Sequence, residues 1–134
     1  MIVDGLPLPV ALVQLIAQGR WVAPADEGRY LDVFGEPPVM PAFLPTERMH
    51  RNSRWINKID HDYRQFYVGS PTPGTPPGDV DPELSLLICD LGPDQPVSLD
   101  FRPSLASPSV IYLGEPGWTE VASTIEVFAM KMGL

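Results

Sequence analysis

From Pro82 to Phe128 the chain reads as strand, tight turn, strand, loop, strand and capped helix in direct succession, and that order commits it to an α+β fold. Leu84, Leu86, Leu87, Ile88 and Leu91 form an apolar run that stops at the turn signal Asp90-Leu91-Gly92-Pro93-Asp94. Pro96-Val97-Ser98-Leu99-Asp100-Phe101 then alternates as a strand does, and Val110-Ile111-Tyr112-Leu113 follows. Ser123-Thr124-Ile125-Glu126 has the spacing of a capping box, in which a hydroxyl meets the third residue's amide and the glutamate reaches back. Ile125, Phe128, Ala129 and Met132 continue it as an i, i+3, i+4, i+7 stripe, and Gly133 ends the helix. The expected architecture is an antiparallel sheet flanked by a few helices, closed by this capped C-terminal helix.

The N-terminal half carries weaker patterns. Leu6-Pro7-Leu8-Pro9 opens a helix in which Val10, Leu12 or Val13, Ile16 and Ala17 share a face, with Gly19 just beyond its end. Tyr30-Leu31-Asp32-Val33-Phe34, between Gly28 and Gly35, reads as a short strand, and Pro37, Pro38 and Pro41 impose extended chain after it. Thr46-Glu47 opens a second helix with Met49, Asn52 or Ser53, and Ile56 on its inner face. Tyr63 to Val68 alternates and is aromatic and β-branched, which reads as a strand ending at Gly69. The segment near residues 70–82, rich in Pro and Gly, reads as a long exposed loop rather than a linker, because each side alone is marginal for independent folding. Residues 1–134 are therefore expected to form one domain.

Composition narrows the function classes. The 17 prolines and 11 glycines point to much loop and turn, while 44% hydrophobic residues supply a core. Cys89 is the only cysteine, which excludes an intramolecular disulfide and a multi-cysteine zinc site. Met1 to Gly5 lacks a basic leader, and no apolar run approaches the roughly 18 residues of a membrane span, so the expected compartment is the cytoplasm. The net charge is −8. That sign disfavours a general nucleic-acid binder, which gains affinity by releasing counterions, and suits a basic protein partner. The charges are also segregated. Pro71 to Asp100 holds six acids and no Lys or Arg, whereas five of the nine basic residues fall between Thr46 and Arg64.

The ordered patterns Pro82-Glu83-Leu84, Ile88 to Gly92, Pro96 to Arg102, Pro108 to Leu113, Trp118 and Val121 to Phe128 together resemble the C-terminal half of the SUKH superfamily, which includes yeast cell-wall-synthesis regulators (the SMI1/KNR4 family) and many bacterial immunity proteins. The N-terminal half keeps only Leu6-Pro7 and Gly19 of the pattern associated with that group. The resemblance implies a SUKH-like antiparallel sheet packed by helices and a non-enzymatic, protein-binding role. In bacteria, such domains typically neutralise a cognate toxin, often a nuclease, by direct binding. The alternative within the same fold is a regulatory interaction module with no toxin partner.

Candidate chemistry is sparse. Asp60-His61-Asp62, with His50, is the one cluster that suggests a metal, yet adjacent strand residues point to opposite faces, so no metal or other cofactor is expected. Cys89 with His50 or His61 is the one nucleophile-base combination, and its apolar setting argues for an inert, buried thiol. An unrecognised hydrolase would need a pocket joining His61, Asp60 and Cys89. Asp100 and Arg102, two apart, suit a satisfied ion pair. Asp79, Asp81 and Glu83 on the approach to the first long strand, with Asp94 in the turn beyond it, are the expected docking acids for a basic partner. Trp118 reads as a core anchor reached from a turn, while Trp21 and Trp55 fit either the core or a binding surface.

Overall fold

The computed structural model describes residues 1–68, 80–114 and 117–134, the side chains of residues 61, 62, 65 and 66 excepted. In chain order the elements begin with β1 (Ile2–Val3), β2 (Leu6–Pro7), α1 (Val10–Ala17), α2 (Glu27–Phe34) and β3 (Ala42–Phe43). A 3₁₀ turn (Thr46–Arg48), β4 (His50–Arg51), α3 (Ser53–Ile56) and α4 (His61–Val68) follow. The C-terminal half consists of β5 (Ser85–Asp90), β6 (Pro96–Asp100), β7 (Ser109–Gly114), β8 (Gly117–Ala122) and α5 (Ile125–Met132). The fold is α+β, with every strand pair antiparallel.

β5 to β8 form a meander, and β3 and β4 both pair along the outer edge of β5. The two sides of the Pro/Gly segment thus share one sheet; most of that segment, residues 69–79, lies outside the described residues. In β5, Leu87 pairs with Ser98 and Cys89 with Val97, so Ile88 is the extra residue of a bulge. That bulge sends both Ile88 and Cys89 into the same core.

Alternation along the strands makes two hydrophobic faces. Leu86, Ile88, Val97, Leu99, Val110 and Tyr112 pack with Leu12, Tyr30 and Phe128 from α1, α2 and α5. Ile111, Leu113 and Trp118 point the other way and bury Ile56 of α3 and Val80. Full burial of each large side chain contributes roughly 1.5 to 3 kcal/mol before entropy is counted.

α1 ends as its sequence indicates: Gly19 takes φ +68, and the Arg20 amide donates to the Leu15 carbonyl at 2.8 Å. β5, β6, β7 and α5 also lie where the patterns place them. Four expectations are corrected. Residues Tyr30 to Phe34 are helical, because Asp26 caps α2 by accepting from the Gly28 amide and Gly35 closes it at φ +79. The flanking glycines are helix punctuation, not strand punctuation. Tyr63 to Val68 is likewise helical, with the Asp60 carbonyl accepting from Tyr63 and Arg64, so tertiary packing overrides β propensity there.

The helix expected from Thr46 is split into the 3₁₀ turn, β4 and α3, because the edge of β5 takes the His50 and Arg51 backbone. Its expected inner face, Met49, Asn52, Ser53 and Ile56, is nonetheless buried. The cap of α5 is Thr124, whose Oγ1 accepts from Val127 N at 3.2 Å, rather than a Ser123-Glu126 box. Trp118 is the core anchor expected, but it sits in β8, a strand that the sequence reading does not include.

Candidate functional site

A groove opens beside the smaller core, where four separated segments meet. His50 of β4, Trp55 of α3, Tyr67 of α4, Leu87 of β5, Asp94 of the β5–β6 turn and Pro96 of β6 line about 220 Å³. The Trp55 and Tyr67 rings meet edge to face, 4.9 Å between centroids at 87°.

The walls are held by polar pins. Trp55 Nε1 donates to Asn52 Oδ1 at 2.8 Å, and Asn52 Nδ2 donates to Ser85 Oγ and Ser98 Oγ, each at 2.9 Å. Ser85 Oγ in turn donates to the Asp81 carbonyl at 2.7 Å. Asn52, Ser85 and Ser98 are buried, so this chain of bonds satisfies groups that would otherwise cost about 1 to 3 kcal/mol each. Tyr67 Oη donates to Asp94 Oδ1 at 3.2 Å. Burial first, and the Asp94 charge second, push the Tyr67 hydroxyl pKa up, which keeps that donor proton in place. Asp94 is exposed and holds φ +59, a conformation that Asp and Asn tolerate better than other side chains. His50 Nδ1 lies 3.0 Å from the Arg51 carbonyl; a carbonyl only accepts, so Nδ1 carries a proton.

Among the described residues, the expected docking acids Asp81, Glu83 and Asp94 are not gathered into one patch. Asp79 lies outside the described residues. Asp81 Oδ1 accepts from the Glu83 and Leu84 amides at 2.9 and 3.3 Å, capping its own turn. Glu83 is exposed and pairs with Arg51 Nη1 at 3.1 Å. Both precede β5, whereas Asp94 follows its far end and, of the three described, alone lines the groove.

Next to the groove, the β1–β2 turn uses Asp4 and Gly5, both at positive φ, in the manner of an Asp-Gly hairpin. A Cβ on Gly5 would come within 2.7 Å of Arg51 Nη2. Asp4 accepts from the Arg51 amide at 2.8 Å and from Arg54 Nε at 2.6 Å, and Arg54 Nη2 completes the pair. Arg54 beside it holds the Asp4 carboxyl well below the usual range, against the opposing effect of burial and with further help from Arg51. Two of the clustered arginines are therefore committed to the chain's own carboxylates.

The other candidates resolve individually. Cys89 is fully buried in the larger core, and burial, then the Asp90 charge, push its thiol pKa up, so it is not poised as a nucleophile. The side chains of His61 and Asp62 lie outside the described residues, and among the described residues no three His, Cys, Asp or Glu converge on a metal position. Arg102 Nη2 meets Asp100 Oδ2 at 2.9 Å over a buried Asp100, the pair expected from their spacing. Trp21 belongs to the larger core and donates from Nε1 to the Leu44 carbonyl, whereas Trp55 is a groove wall. Among the described residues, no helix is long and apolar enough to cross a membrane.

Asn52, Leu87 and Pro96 carry no one-dimensional signal for this site; they converge only once β4, β5 and β6 pair. The Asp4-Gly5 dipeptide does carry one, as a hairpin turn. Comparison with family models, with curated proteins and with solved structures returns no match.

Proposed function

We propose that this chain is a non-enzymatic protein-binding domain of SUKH type, acting in the cytoplasm as an immunity protein that neutralises a cognate basic toxin by direct contact. The observation that carries the reading is an aromatic groove with a carboxylate at its rim, on a domain of net charge −8. Aromatic residues supply rigid contact area at low entropic cost, and a negative field raises the rate at which a cationic partner arrives. Neutralisation would be occlusion: the acidic domain occupies the toxin's Lys and Arg residues in place of their phosphate substrate. The regulatory alternative leans on exposed aromatics and on the basic segment; the aromatic groove suits it too, but Arg51 and Arg54 are spent on Glu83 and Asp4.

Affinity capture from native lysate with the tagged chain, at low and high salt, with mass spectrometry of the bound species, tests this. One basic, nuclease-like protein held at low salt, released at high salt and lost on Asp94→Lys supports the reading. A housekeeping complex, or nothing at either salt, overturns it.

A further inference from the structure

We infer that the Trp55–Tyr67 groove receives a single guanidinium group, an arginine side chain presented by the protein partner. The inference rests on the protein-binding reading above and specifies its chemistry. The groove, at about 220 Å³, is smaller than the 300 to 1,000 Å³ typical of sites for drug-sized ligands and cofactors, and suits one side chain. Its walls are two perpendicular aromatic rings over Leu87 and Pro96, which offer a π-face and an apolar floor.

The polar inventory fixes the sign of the guest. The Trp55 indole proton is taken by Asn52, and the Tyr67 hydroxyl proton is directed at Asp94. What the described residues still offer in the groove is an acceptor, Asp94 Oδ2, which has no hydrogen bond among them. A guest made only of donors, with a flat weakly hydrated cation, matches that set; guanidinium has five donors and no acceptor, and it stacks on aromatic faces while forking to a carboxylate. An ammonium is more strongly hydrated and lacks the plane. The −8 charge of the chain favours the same guest from a distance.

The test is a two-dimensional NMR titration of the ¹⁵N-labelled full chain with N-acetyl-L-arginine amide, read at the indole N–H resonances. Trp21, buried in the larger core, serves as the internal control. We expect a saturable shift at Trp55 with an apparent Kd near the millimolar range expected for so small a probe, about fivefold or more weaker in Asp94→Asn, with Trp21 unmoved. Asn tolerates the positive φ at this position, so the variant keeps the turn, and an unchanged Trp21 resonance verifies it. The neutral citrulline amide should not shift Trp55, and the lysine amide should bind more weakly than arginine. No saturable shift, equal binding by citrulline or lysine, or an unaffected Asp94→Asn each overturns the inference. The two proposals fail separately. A groove silent to arginine in a chain that still captures a basic protein overturns the groove assignment alone, while a responsive groove with an empty capture overturns the immunity reading.

Discussion

On one face of the sheet Phe128 lies among the rings of Trp21, Phe34 and Phe43, about 6 Å from each, while on the other Trp55 and Tyr67 meet each other and then open onto a groove. The first face is sealed by α1, α2 and α5 around a mostly apolar cluster, whose Trp21 and Tyr30 each send one proton to a nearby carbonyl, of Leu44 and Pro24. The second is covered by α3 and α4, and its order depends on a buried amide, Asn52, that reaches three partners at once. Apolar packing tolerates imprecision in direction, whereas hydrogen bonds do not. The difference is that between a face built for stability and a face that holds two rings in a fixed attitude toward solvent.

Breaking the first face should have the largest effect. Phe128→Ala should lower unfolding free energy by about 3 to 5 kcal/mol, read as a fall in the urea midpoint, because the cavity it leaves is walled by rigid rings. Asn52→Ala should cost about 1 to 3 kcal/mol by leaving the Trp55 indole without its acceptor and removing the donor to two serine oxygens, and it should move the Trp55 indole resonance while leaving Trp21 in place. An Asn52→Ala chain with full stability and an unmoved Trp55 would remove the distinction between the faces.

The charged clip beside the groove gives a pH test. The folded Asp4 carboxyl is held below its ordinary value of 3.8, so its contribution is complete above pH 3.8 and drains away as pH falls further, when the unfolded chain takes up the proton first. Stability measured from pH 7 to pH 3 should therefore drop in the acid limb, and Asp4→Asn should both flatten that drop and cost about 1 kcal/mol at pH 7. The smallest effect concerns the helix that seals the larger core. Thr124→Ala should cost about 1 kcal/mol and Ser123→Ala less than about 0.5, since only Thr124 accepts from Val127. A reversed order would return the cap to Ser123.

Much of the larger core can be read along the chain, because its elements are locally consistent: Leu86 to Cys89, Val97 and Leu99, and the Ile125, Phe128 and Met132 stripe each show their period within one segment. The errors fall where a residue's local preference is outvoted. Tyr30, Val33 and Phe34 keep helical spacing, yet their β-forming character and bracketing glycines suggest a strand. Tyr67 becomes a groove wall only because α4 turns it toward Trp55, a contact twelve residues away in sequence and perpendicular in space. The Asp81 carboxylate folds back onto Glu83 N and Leu84 N, a turn contact that charge pattern alone does not show. Of the three expected docking acids among the described residues, Asp94 alone lines the groove, through the geometry of a turn rather than through charge pattern.

The outer edge of β5 is finished by two dipeptide strands, Ala42–Phe43 and His50–Arg51, with the Leu44 amide to the Ile88 carbonyl between them. During synthesis these pieces leave the ribosome well before β5, the strand that both of them pair with, exists. The β5–β8 meander is local in sequence and closes its own loops cheaply, whereas docking β3 and β4 on β5 closes a longer loop, so we expect the N-terminal half to dock late. Until it does, β5 presents bare N–H and C=O groups flanked by Leu86, Leu87 and Ile88, a template for pairing with another nascent chain. The interval before that edge is covered is therefore the window in which this protein is most exposed to misassembly, and its yield should depend on how quickly that window closes.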